Sequence, residues 1–188
     1  STWTSSFSNK FSFFRGSEDD VLDRFSKAAG KFNADVVVRI TADCPLIDPN
    51  IIDDVLQNHI TNKFDVSGLA GDFPDGLDVE VFNLEALDIA SKDSNLRSER
   101  EHIGQYFYKR PKQFKLGSLS VFKDKGHYRW TLDEQKDYEL IVKIYDYLYQ
   151  KDKIFLTNDI FALLEKYPEL QEINSKIIRN EGLLKSLK

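Results

Sequence analysis

Methionine is missing from the whole chain, position 1 included, and cysteine occurs once, at Cys44. A single thiol excludes an internal disulfide and makes a cytoplasmic setting the expectation. No apolar stretch approaches the roughly 20 residues that cross a bilayer, so no membrane partner is expected. Basic residues are not in excess either: 26 Lys and Arg stand against 31 Asp and Glu, a net charge of −5. Neutralising a phosphate polymer needs clustered cations, which argues against a nucleic-acid polymer as partner; a single nucleotide needs only a few local donors and a metal. The first residues, STWTSSFSNKFSFF, hold no basic segment followed by an apolar core and do not read as a secretory leader. The missing initiator fits a chain that has lost its start or a piece of something longer.

What is present describes an ordinary globular protein, 41% hydrophobic and 30% charged, with 14 Phe and 8 Tyr for a packed core. The 188 residues are expected to form one domain, with an atypical segment over 1–14 and a helical, peripheral tail over 168–188. Ser17 followed by Asp20 predicts a capped helix carrying Val21, Leu22, Phe25, Ala28, Ala29 and Phe32 on one face. A strand over 35–40 comes next. Asp48 and Pro49 then start a helix with Ile51, Ile52, Val55, Leu56 and Ile60 as its buried stripe.

DVSGLAG reads as a short strand, and LDVEVFN alternates, with Leu77, Val79 and Val81 on one side and Asp78 and Glu80 on the other. Helices are predicted near 84–91 and 97–109, strands in FKLGSLSVF and HYRWTL, and a long helix in DEQKDYELIVKIYDYLYQ. Thr157 or Asn158 is placed to cap a last short helix. Strands alternating with helices predict an α/β sheet with helices on both faces.

In such sheets ligands gather beyond the carboxyl ends of the strands. Asp43 stands there, in VVVRITADCPLIDP, and Asp133 closes HYRWTL. Taken alone, Asp43 forms a turn and Asp133 caps a helix. Taken together, two carboxylates at one sheet edge repel unless a cation lies between them. Mg²⁺ takes one or two carboxylates and completes its shell with phosphate oxygens and water. That pairing points to metal-assisted phosphoryl or nucleotidyl transfer.

The blocks RGSEDDVLDRF, RITADCPLIDP, PDGLDVEVF, SEREHIGQYFYKRP, HYRWTLDEQKDYELI and INSKIIRNEGLLKSLK resemble, in order over residues 15–188, the spore-coat-polysaccharide F branch of the cytidylyltransferases. Those relatives are similar to the enzymes that make CMP-sialic acid and CMP-deoxyoctulosonate. The resemblance implies a Rossmann-like nucleotidyltransferase sandwich with a mostly parallel sheet. It also implies transfer of CMP from CTP to a sugar acid, release of pyrophosphate, Mg²⁺ as cofactor and a homodimer through the region after VEVFN.

By the same resemblance Asp43 and Asp133 are the catalytic metal ligands. Asp78, Glu80 and His102 contact the sugar, and Arg24 lies near the nucleotide. Each has a plainer reading. Asp78 and Glu80 are the wet face of a strand, His102 packs or hydrogen-bonds on a helix, and Arg24 is the polar side of an amphipathic helix. Cys44 is a small packing residue. The Asp19–Asp20 pair serves the first helix's N-terminus. The glycine- and arginine-containing loop that cradles the triphosphate in those relatives has no counterpart in STWTSSFSNKFSFF. The expectation is therefore an N-terminally truncated cytidylyltransferase, with a non-catalytic binding or assembly subunit as the alternative.

Overall fold

The computed structural model describes residues 11–177. The atypical segment over 1–14 and the tail over 168–188 therefore lie partly outside the described residues. Helix α1 (Val21–Lys31) is capped by Asp20, whose carboxylate accepts the Asp23 N–H at 3.0 Å. Ser17, the predicted cap, stands three residues before the observed one, and its hydroxyl oxygen accepts the Asp20 N–H at 3.1 Å. Leu22 and Ala29 are buried, while Phe32 falls beyond the last turn and is exposed.

Strand β1 (Val36–Arg39) leads to α2 (Pro49–Asn62), with Asp48 at the N-cap and Pro49 in the first turn as expected. One Asp48 oxygen caps Asn50 (2.9 Å); the other accepts the Thr157 N–H (3.0 Å) and ties α2 to a distant helix. Of the predicted stripe, Ile51 and Val55 are buried and Ile60 is exposed. Its inner position goes to His59, which bridges Ser67 and Asn83 at 2.9 Å each.

Then follow β2 (Val66–Leu69), β3 (Glu80–Asn83), α3 (Leu84–Asp93), α4 (Arg97–Glu101), α5 (Gly104–Tyr108) and β4 (Leu116–Leu119). The single helix predicted over 97–109 breaks at His102 and Ile103. HYRWTL is no strand: Arg129 makes one isolated parallel bridge to Asp75, held by Asp75 N–H to Tyr128 O (3.0 Å) and Trp130 N–H to Asp75 O (2.7 Å). Gly76 completes that bridge. Its φ is +95°, and a Cβ there would stand 2.6 Å from the Trp130 backbone.

Helices α6 (Gln135–Leu148) and α7 (Thr157–Lys166) and a 3-10 helix (Pro168–Ile173) complete the described chain. Thr157 opens α7 and does not cap it; its N–H goes to Asp48, and Asp159 takes the preceding Leu156 N–H at 2.8 Å. The tail is not peripheral where it is described, since Leu170 and Asn174 are buried. No described helix is long and apolar enough to cross a membrane.

The sheet order is β1-β3-β2-β4. Strands β1, β2 and β4 share one direction, so the expected parallel bias holds for strand direction. It needs correction for pairing: β3 runs the other way between β1 and β2, and two of the three pairings are antiparallel. Successive β3 side chains point to opposite faces. Val81 enters a core with Val55, Trp130, Leu140 and Ile160, and Phe82 a second core with Leu22, Leu87 and Phe107. Helices thus cover both faces, as the α/β class requires.

Candidate active site

The reversal of β3 builds the site. A strand running against β1 begins where β1 ends, and the register places Arg39 opposite Glu80. Asp78 and Glu80 thereby arrive at the same edge as Asp43. The break between α4 and α5 brings in His102 and Gln105, and the segment after Arg129 closes the far side. Together they line a cavity of about 630 Å³, within the usual range for small-molecule sites. Of the six residues singled out in the sequence, Asp43, Asp78, Glu80, His102 and Asp133 line it.

Arg24 does not. Its guanidinium donates to the Ser17 carbonyl (2.6 Å) and the Glu18 carbonyl (3.4 Å), fastening the loop ahead of α1.

Asp43 and Asp133 are brought together by backbone. The Asp43 carbonyl accepts the Leu132 N–H (2.8 Å) and lies 3.2 Å from the Thr131 hydroxyl, which also stands 3.4 Å from Asp133 Oδ2. Asp133 does not cap α6. Asp137 does so, its Oδ2 accepting the N–H groups of Asp133 (3.2 Å) and Glu134 (3.0 Å). That substitution leaves the Asp133 carboxylate for the cavity. The Asp43 carboxylate has a weak neighbour in the Cys44 thiol, 3.7 Å away. Burial first, then Asp43 and Asp78, push that thiol up to about 12, so Cys44 stays protonated and packs.

Arg129 was not singled out in the sequence, and it organises one wall. Its side chain is 9% exposed and meets three carboxylates: Asp75 at 3.0 Å, Asp133 at 2.9 Å and Asp137 through two bonds at 2.9 Å. Asn174 locks the arrangement, donating to Asp137 Oδ1 (2.9 Å) and the Arg129 carbonyl (2.8 Å). Burial alone would raise the Asp137 carboxyl; the bonds from Arg129, Asn174 and the two backbone N–H groups outweigh it and hold it below its ordinary value of 3.8.

At the other end Arg39 donates to Glu80 Oε2 at 2.6 Å, and the Tyr108 hydroxyl donates to Oε1 at 3.3 Å. Burial, then Glu80, push the Tyr108 phenol well above its ordinary range, so it remains a donor. Gly104 permits this approach: a Cβ there would lie 2.5 Å from Glu80 Oε1 and 2.7 Å from the Tyr108 ring. Gly104 opens the five-residue α5, where the interior helix preference of Ala over Gly, about 1 kcal/mol, applies only in part. Gly104→Ala should therefore change stability by less than that while displacing the Glu80 and Tyr108 side-chain ends. The melting temperature should hardly move while the Tyr108 ring signals shift by NMR. An unmoved Tyr108 spectrum would mean that Glu80 is not held there.

Six carboxylates (Asp43, Asp75, Asp78, Glu80, Asp133 and Glu134) line the cavity against two arginines, Arg39 and Arg129. A phosphate ester entering such a lining is repelled unless a cation accompanies it. The described residues hold no cluster of three or more side chains arranged as an all-protein metal cage. Asp43 and Asp133 are a pair of hard oxygen donors, which fits Mg²⁺ bound with phosphate and water rather than a softer metal in a closed cage.

The sequence profile of the cytidylyltransferase family matches residues 3–168. The uncharacterized protein MJ1063 of Methanocaldococcus jannaschii is 36% identical over 170 residues, spanning 87% of this chain and 67% of that protein. The spore coat polysaccharide biosynthesis protein SpsF of Bacillus subtilis is 30% identical over 163 residues, 85% of this chain and 67% of its own length. A solved cytidylyltransferase from Leptospira borgpetersenii has a TM-score of 0.84 and 31% identity, covering 95% of this chain and 75% of that one. By profile, sequence and fold together, the chain belongs to the cytidylyltransferase family.

Proposed function

We propose that this chain transfers CMP from CTP to a sugar acid, with release of pyrophosphate, in surface polysaccharide biosynthesis. Family membership supports the nucleotidyl transfer, and the likeness to a spore coat polysaccharide biosynthesis protein supports the polysaccharide setting. The observation that supports the reading is the stitching of the Asp43 backbone to Thr131 and Leu132, with the carboxylates of Asp43 and Asp133 both lining one acid-rich cavity.

Asp43 and Asp133 would hold Mg²⁺, which when bound screens phosphate charge at the reacting centre. Arg129 fixes the Asp133 carboxylate through Oδ2, so that its direction is set before substrate arrives. Asp78, Glu80, His102 and Gln105 line the sugar end and orient the acceptor. The acceptor hydroxyl forms an O–P bond to the α-phosphorus as the bond to pyrophosphate breaks, pyrophosphate leaves with the bonding electron pair, and the hydroxyl proton passes to solvent. The protein's share is positioning and electrostatics. The same reading carries a cytoplasmic location and a homodimer through α3, whose Ile89 is exposed.

The test is pyrophosphate release and CMP-sugar formation with CTP, Mg²⁺ and a panel of sugar acids. Turnover with one of the acids and CTP, and none with ATP or UTP, is the expected result. A folded chain that yields neither product with any of them would be a non-catalytic binding or assembly subunit.

A further inference from the structure

The two arginines of the cavity are in different states. Arg129 is engaged on every side, with Nε on Asp137, Nη1 on Asp75 and Nη2 shared between Asp133 and Asp137. It is fixed structure. Arg39 is more open, with its side chain 22% exposed, and makes one bond, from Nη1 to Glu80 Oε2. Its remaining N–H donors have no protein partner among the described residues.

A guanidinium carries five donors in a planar fork suited to two-point contact with a carboxylate. One that uses a single donor, in a cavity wall, keeps an edge for a ligand. Backbone holds it there: Arg39 closes β1 and pairs in register with Glu80 across β3. Glu80 shows that the position accepts a carboxylate. It also has a second partner in the Tyr108 hydroxyl, so it keeps a hydrogen bond if Arg39 turns toward a ligand. Asp43 and Asp133, which line the same cavity, are the phosphate side in the proposed reaction.

We propose that Arg39 is the specificity-determining residue that takes the carboxylate of the sugar acid, with Glu80 holding the guanidinium in place beforehand. This rests on the proposed cytidylyl transfer and adds the group that reads the acceptor. An acid-lined cavity repels a second carboxylate, so an acidic acceptor needs one cation whose donors are not already used. Arg39 meets that requirement and Arg129 does not.

The ligand chemistry, an oxyanion, is shared by the acceptor and by CTP, and the experiment separates them. The full 188-residue chain is titrated calorimetrically with N-acetylneuraminic acid and with deoxyoctulosonate, each beside its methyl ester, and separately with CTP and Mg²⁺. Arg39→Gln and Arg39→Lys are compared with the wild type, each checked for an unchanged circular-dichroism spectrum. At least one acid is expected to bind while its ester does not. Arg39→Gln should weaken the acid by about tenfold or more and leave CTP unchanged, with partial recovery in Arg39→Lys.

Acid binding that is unchanged in Arg39→Gln overturns the proposal, as does equal binding of the ester. So does failure of the wild type to bind either acid. A loss confined to CTP would assign Arg39 to the phosphates and likewise overturn it. In every such case, CTP binding by the wild type leaves the proposed transfer standing; absence of CTP binding removes that reading itself.

Discussion

Asp43→Asn is expected to lower Mg²⁺-dependent CMP transfer by about 100-fold or more while leaving the fold intact. The asymmetry follows from what each part of Asp43 does. Its backbone carbonyl anchors Leu132 and Thr131, and asparagine keeps that carbonyl. Its carboxylate meets the Cys44 thiol at 3.7 Å, so neutralising it costs the fold little, within about 0.5 kcal/mol. Pyrophosphate release and thermal melting measured on the same preparation check both halves. A variant that retains full turnover would remove Asp43 from the metal site.

Asp137→Ala should fail in the opposite way, through stability. The Asp137 side chain is fully buried and carries Arg129, Asn174 and the capping of α6. Arg129 keeps Asp75 and Asp133, but it loses two charge-assisted bonds while Asn174 and the N–H groups of Asp133 and Glu134 lose their acceptor, at a cost of about 3 kcal/mol. Urea unfolding should show that loss as a lower midpoint with an unchanged slope. The same carboxyl sets an acid limit. Its folded pKa lies below its ordinary value of 3.8, so its contribution is complete above that value and is lost as pH falls through the folded pKa. Wild-type stability should therefore drop below about pH 4. The Asp137→Ala protein should show a shallower drop over that range. Equal midpoints for the two proteins at pH 7 would contradict the account.

The helices were legible because each is marked by local chemistry. Asp48 and Pro49 announce α2, and the apolar spacing of Val21, Leu22 and Phe25 announces α1. Asp43 and Asp133 were legible as a pair because both close strand-like segments, and strand ends in α/β folds share an edge. The reversal of β3 left no local trace. Leu77, Val79 and Val81 alternate in the same way whichever direction the strand runs, and only pairing with β1 and β2 decides it.

Arg129 was hidden for a related reason. Its three carboxylate partners lie 4, 8 and 54 positions away in the chain, and only the fold brings the most distant, Asp75, beside it. Its position between aromatic residues in HYRWTL carries no mark of a hub. Arg24 lies outside the cavity lining, and a polar residue on an amphipathic helix reads the same whether it faces a ligand or fastens its own loop. Asp133 shows the converse. Its apparent N-cap role belongs to Asp137, and the sequence offered two acids for one duty.

The most direct test of the account is titration calorimetry of the chain with CTP, with and without Mg²⁺, using ATP and UTP as controls. Saturable binding that requires Mg²⁺ and selects CTP is the predicted result. A folded chain that binds no CTP in the presence of Mg²⁺, or that binds all three nucleotides alike, would contradict the assignment of this cavity to a metal-bound cytidine nucleotide.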